Sequence, residues 1–156
     1  MFHFWQKDFQ KRKLPLYPKL ISIGNNVHIA SGVSFLTHDI THVMLNRYVG
    51  AKRYRERVGC IEIGDNVFIG SSTRILYDVK IGSNVIVGTG STVTKDIPDN
   101  SIVAGVPARV IGTFDDYLKK RDSLEQYPVF MAPRKQEITD ELAKLLWKSF
   151  DERRHT

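Results

Sequence analysis

The sequence predicts an all-β chain that coils: short parallel strands wound into stacked turns, with one protruding loop and a helical extension. Three observations predict it. Large apolar residues recur every six positions over two stretches. The repeats are rich in β-branched residues and are punctuated by Gly and Asn, the composition of short strands and tight turns. The rhythm stops once, across residues 39–60, and then resumes.

The chain opens with MFHFWQKDFQKRK, which has neither the apolar core nor the small-residue cleavage site of a signal peptide. Residues 1–16 read as an arm or cap, in which FHFW and LPLYP could cover one end of the coil. From Ile23 the hexads run IGNNVH, IASGVS and FLTHDI. From Ile63 to Pro98 they return as IGDNVF, IGSSTR, ILYDVK, IGSNVI, VGTGST and VTKDIP. Each opens with Ile, Val or Phe, and six carry Gly or Ala second. A period of six is a poor helix period. Strands this short bury a core only if each stacks on its equivalent in the next turn of a coil. Three hexads per turn give a period of eighteen, with the opening residue inward and the small residue at a crowded corner. On that arithmetic Ser71, Thr89 and Pro107 share one edge.

The excursion, DITHVMLNRYVGAKRYRERVGC, is long for a compact domain, and long loops of this kind are often functional. It carries Arg47, Lys52, Arg53, Arg55 and Arg57 against Asp39 and Glu56, while residues 61–156 are nearly balanced. Such a basic cluster suits an anionic partner or simply a solvated loop. No nucleic-acid motif accompanies it, so no nucleic-acid partner is expected. Tyr48 and Tyr54 could stack on sugar faces, and the arginines could hold a carboxylate or phosphate. Past Gly112 the hexads cease. Residues 115–125 read as a short helix and YPVFMAPRK as a connector. Thr139 caps a helix to about Arg153 with an apolar stripe of Leu142, Leu145, Leu146 and Phe150.

Residues 87–112, VGTGSTVTKDIPDNSIVAGVPARVIG, resemble the end of the coiled domain of the hexapeptide-repeat acyltransferases. The phrases VTKDIP and AGVPARVI carry the resemblance, which extends over about residues 20 to 112. Galactoside, maltose, xenobiotic and polysaccharide O-acetyltransferases are of this kind. The resemblance implies a left-handed parallel β-helix, an exception to the usual right-handed crossover. It divides the chain into an arm (1–16), the β-helix domain with its loop (17–112) and a helical extension (113–156). It also implies a homotrimer with active sites between subunits, acetyl-CoA as donor, and a sugar or glycan precursor as acceptor.

In the family a catalytic histidine lies where the loop leaves the coil, and LTHD puts His38 there, with Asp39 in place of a frequent proline. The chemistry fits: a neutral imidazole titrates near working pH and can take the proton of an attacking hydroxyl. His42 is the rival, more suited to orienting the loop or touching the acceptor. Asp39, His42, Tyr48 and Tyr54 are the candidate acceptor contacts, and Asp39 and Asp78 are open as partners of the imidazole. By resemblance, Ser71, Thr89, Thr94, Lys95 and Arg109 fall on donor-contacting positions, with Lys95 and Arg109 suited to phosphate. Gly112 stands where some relatives carry a further Arg.

A related prism uses three histidines for zinc. Here no histidine occurs from 43 to 154, so no metal is expected. N-acetylation of an amino sugar and a purely structural solenoid are the alternative readings. One cysteine, Cys60, excludes an intrachain disulfide, and no apolar run spans a membrane, so a cytoplasmic protein is expected.

Overall fold

The computed structural model describes residues 16–122, 131–133 and 137–154. The FHFW segment and most of the YPVFMAPRK connector lie outside the described residues. The chain divides into two compact units, residues 1–115 and 116–156.

In the first unit, a 3-10 turn (Pro18–Leu20) leads into β1 (Ile21–Ile23), β2 (Val27–Ile29) and β3 (Ser34–Leu36). The excursion follows with β4 (His38–Asp39), α1 (Thr41–Val49) and β5 (Arg57–Val58). The coil resumes with β6 (Ile61–Ile63), β7 (Val67–Ile69), β8 (Arg74–Leu76), β9 (Val79–Ile81), β10 (Val85–Val87) and β11 (Thr92–Val93). It closes with β12 (Ser101–Gly105) and β13 (Ala108–Thr113). Strands from successive turns form three sheets: β1-β6-β9, β2-β7-β10-β12-β13 and β3-β8-β11. All these pairings are parallel except β12 with β13. Each hexad thus contributes one strand, and each turn of three hexads one strand to each face of the coil.

The registers measure the turns. Ile61 pairs with Val79 and Val67 with Val85, the expected eighteen residues. Ile21 pairs with Ile61, so the excursion adds 22 residues to its turn. The last turn is short: Ile97 pairs with Ile81 and Ser101 with Val85, a step of 16. One expectation changes with it. Val87 pairs with Val103, which puts Gly105 below Thr89, and Pro107 lies in the turn between β12 and β13 instead of on the edge.

The core follows the hexad. Ile63, Ile69, Ile75, Ile81, Val87 and Val93, which open hexads, are almost wholly buried, and so are Val67, Val79 and Val85 at the fifth position. Burying each such side chain contributes roughly 1.5–3 kcal/mol. Ile23 and Ile29 in the first turn are half-buried and pack against this cluster. The small second residue is required by space. A Cβ on Gly64 would lie 2.6 Å from Ser83 Oγ and 2.9 Å from the Gly82 carbonyl carbon.

One corner carries an asparagine ladder that the hexad pattern alone did not foretell. Asn26, Asn66, Asn84 and Asn100 all have φ between 52° and 57°, the left-handed region that Asn tolerates best after Gly. Asn26 Nδ2 donates to Asn66 Oδ1 (2.9 Å), and Asn66 Nδ2 donates to Asn84 Oδ1 (3.0 Å). The coil ends where β13 doubles back antiparallel on β12, with a register shift between Ile102 and Val103.

α2 (Phe114–Asp122) crosses the boundary between the units, over most of the helix expected at 115–125. In the second unit, α3 (Asp140–Glu152) has the expected cap: Thr139 Oγ1 accepts from Leu142 N at 3.3 Å. Of its apolar stripe, Leu142 is buried, while Leu145 and Phe150 remain partly exposed. No helix among the described residues is long and apolar enough to cross a membrane.

Candidate active site

The excursion leaves the coil after β3 and is closed at its base by β4 and β5. These pair antiparallel, His38 opposite Val58 and Asp39 opposite Arg57. Gly59 N donates to Thr37 O (3.0 Å), which seats the returning strand beside the departing one. Gly59 has no room for a side chain, because a Cβ there would collide with the Asp78 carboxylate. His38 therefore stands on a short strand held by its pairing with β5, a setting that keeps a reactive group in place better than a free loop does.

Beyond β4 the sequence was expected to form a loop. It forms α1, with Ile40 at the N-cap and an Asx turn at its entry: Asp39 Oδ1 accepts from Thr41 N (3.0 Å) and Thr41 Oγ1 (2.6 Å). The helix ends on Gly50 in the left-handed conformation (φ 67°). Asn46 then pins the returning chain. Its Oδ1 accepts from Arg53 N (2.9 Å) and Tyr54 N (2.7 Å), and its Nδ2 donates to Tyr54 O (2.9 Å).

Neither carboxylate considered for the imidazole goes to it. Asp39 Oδ2 accepts from Tyr77 OH (2.6 Å), so both its oxygens are engaged. The hydrogen bonds from Thr41 and Tyr77 lower its pKa to about 2, and the same bond raises that of Tyr77. Asp78 pairs with Arg57 (3.4 Å), whose guanidinium also lies 4.9 Å from the centre of the Tyr77 ring. What meets His38 is Tyr17. The two rings stand edge to face, centroids 5.3 Å apart at 80°. Tyr17 OH donates to both oxygens of Glu56 at 3.1 Å, and that carboxylate raises the phenol pKa. His38 Nδ1, His42 Nδ1 and Thr37 Oγ1 are buried without a hydrogen-bond partner among the described residues.

The other candidates spread along the coil. His42 lies in the first turn of α1 and is half-buried; Tyr48 is 86% exposed near its end. Tyr54 lies under the Arg53 guanidinium, 5.6 Å from the ring centre. Ser71 and Thr89 occupy successive levels of one corner, where Gly90 N donates to Ser71 O (2.8 Å). Thr94 and Lys95 follow β11, exposed, at the corner where the excursion leaves two levels away. Arg109 on β13 is exposed and its guanidinium donates to Ala108 O (2.9 Å). His28 is exposed beside Asn26. Tyr17, Glu56 and Tyr77 were not singled out from sequence: their partners lie 38 or 39 residues away, with no motif linking them.

Residues 60–95 match the family model described as bacterial transferase hexapeptide, six repeats. The chain is 51% identical over 105 residues to Protein CapG of Staphylococcus aureus, covering 66% of this chain and 58% of that protein. It is 37% identical over 113 residues to YvoF of Bacillus subtilis (strain 168), covering 71% and 59%. The chain thus spans less than two thirds of the length of these curated relatives. Among solved structures, a maltose O-acetyltransferase from Clostridium difficile 630 superposes with a TM-score of 0.51 at 30% identity, over 64% of this chain and 62% of that one. A galactoside acetyltransferase in complex with coenzyme A does so with a TM-score of 0.51 at 32% identity, over 74% and 64%.

Proposed function

The chain carries the hexapeptide repeats of the bacterial transferases, and from that premise we propose that it is an acetyl-CoA-dependent O-acetyltransferase acting on a sugar or glycan precursor. In this reading the coil is a left-handed β-helix that works as a homotrimer, with each site between neighbouring subunits. The likeness to a maltose O-acetyltransferase and a galactoside acetyltransferase supports the donor and the acceptor class. The observation that carries the reading is His38, fixed on β4 at the root of the excursion with Nδ1 turned inward.

A buried Nδ1 leaves Nε2 to meet the substrate. Nε2 takes the proton of the acceptor hydroxyl as its oxygen attacks the thioester carbonyl. The carbon–sulfur bond then breaks, and the imidazolium returns the proton to the departing thiolate. No covalent enzyme intermediate is needed, because both substrates are held together on one scaffold. Ser71 and Thr89 line the groove for the pantetheine arm. Thr94, Lys95 and Arg109 serve the donor end, where the two cations meet phosphate. His42, Tyr48 and Tyr54 border the acceptor, and Asp39 serves that side by holding the start of α1.

The test compares His38→Ala with His42→Ala. Acetyl-CoA is offered with methyl glycosides of glucose, galactose and glucosamine, and CoA thiol release is followed. His38→Ala is expected to lower kcat by about 10²–10⁴ with acetyl-CoA affinity nearly intact. Equal loss in His42→Ala with His38→Ala still active would reverse the assignment. A wild-type protein that neither binds nor consumes acetyl-CoA would favour a structural solenoid. Transfer to the glucosamine amine alone would make it an N-acetyltransferase.

A further inference from the structure

A catalytic imidazole works only if its ring is held with one nitrogen toward the substrate. The usual device is an acceptor on the other nitrogen, and among the described residues that device is missing. Among the described residues nothing hydrogen-bonds His38 Nδ1. Asp39 is taken by Thr41 and Tyr77, and Asp78 by Arg57. The remaining ordering contact is the ring of Tyr17, edge to face at 5.3 Å.

Tyr17 is itself held. It sits just before the 3-10 turn that opens the coil, and its hydroxyl is fixed by the Glu56 carboxylate at 3.1 Å to each oxygen. Glu56 lies at the other end of the excursion, next to β5, which pairs with the strand carrying His38. Two segments 39 residues apart are thus joined through Tyr17, whose ring meets the imidazole. Both side chains are half-buried, so solvent does not readily replace the contact.

We propose that Tyr17, tethered by Glu56, is the positioning residue for His38: it fixes the imidazole by ring packing in place of a hydrogen-bonded carboxylate. The inference rests on His38 being the base of the acetyl transfer. Tyr17 touches neither substrate in this role and acts through His38.

The experiment uses the full chain with acetyl-CoA and the three methyl glycosides, following thiol release, and determines kcat and the KM for acetyl-CoA separately. Tyr17→Leu keeps apolar volume and loses the ring. It is expected to lower kcat by about 10- to 100-fold, the scale of a misplaced catalytic group, with KM within about twofold. Tyr17→Phe keeps the ring and loses the tether, and should recover most of that loss. Glu56→Met, which keeps the length and removes the acceptor, should match Tyr17→Phe, and the double variant should be no worse than either, since both cut one bond. The proposal is overturned if Tyr17→Leu keeps wild-type kcat while His38→Ala is inactive. It is also overturned if Tyr17→Phe is as damaged as Tyr17→Leu, or if the Tyr17→Phe and Glu56→Met losses multiply. Should Tyr17→Leu not fold, the Tyr17→Phe and Glu56→Met cycle decides alone. An inactive wild type, or an active His38→Ala, sinks the functional reading itself, and this inference with it.

Discussion

Replacing Gly70 by alanine should force two levels of the coil apart at the corner that carries Ser71 and Thr89. A Cβ at Gly70 would lie 2.5 Å from Thr89 N, 2.8 Å from Thr89 Cα and 2.9 Å from the Gly88 carbonyl carbon. All three are backbone atoms and cannot swing aside. Reaching an ordinary contact requires a separation of about 1 Å. The bond from Gly70 N to Val87 O, now 2.8 Å, would stretch beyond useful length. Its loss costs about 0.5–1.5 kcal/mol. The forced packing adds about 1–3 kcal/mol. The expected destabilisation is therefore about 1.5–4.5 kcal/mol. Gly88→Ala is the control, because its nearest neighbour is the Ala104 methyl at 3.0 Å, where a shift of a few tenths of an ångström suffices, and it should cost under about 1 kcal/mol. Urea unfolding of both variants at one protein concentration makes the comparison. Equal midpoints would refute the claim that corner glycines are set by the spacing between levels.

Other consequences are open to measurement. Asn66 combines φ 56° with two ladder hydrogen bonds, so Asn66→Ala should be less stable than Asn66→Gly by about 1 kcal/mol in thermal unfolding, and the reverse order would remove the backbone argument. Asp39, with its pKa lowered to about 2, contributes stability that is complete above the ordinary carboxylate range near 4 and fades as pH falls through 2. The stability gap between wild type and Asp39→Asn should therefore be constant near neutrality and narrow between about pH 4 and pH 2; a flat gap across that window would deny the depression. His38→Ala, assayed as above, should lose turnover while still binding acetyl-CoA.

Much of the coil was legible because its core is periodic. Ile63, Ile69, Ile75 and Ile81 recur at six, and all face inward. The shortened last turn was not, since Ile97 fits the fifth place of a hexad and yet stacks on Ile81, a first place. Nothing local distinguishes two apolar slots of like size. α1 was read as loop because its residues show no buried stripe; the turn that leads into it is made by Asp39, one residue before the N-cap Ile40. His38 was singled out by the family resemblance of LTHD at the break in the repeat, with His42 as its rival. Its surroundings could not: Tyr17, Glu56 and Tyr77 come together only through chain closure over nearly forty residues, a contact that local pattern does not encode.

A stack of parallel strands invites growth, since its final strand offers bare amides and carbonyls to any extended chain. On one face of this molecule that invitation is withdrawn. The reversal into β13 occupies the edge of β12 with a strand of opposite direction, and the register slip between Ile102 and Val103 adds the twist of a bulge. A second copy cannot extend that face in the rhythm of the repeats. The turn at Val106 and Pro107 that ends the pattern thus takes away the parallel edge on which further strands of the coil would stack.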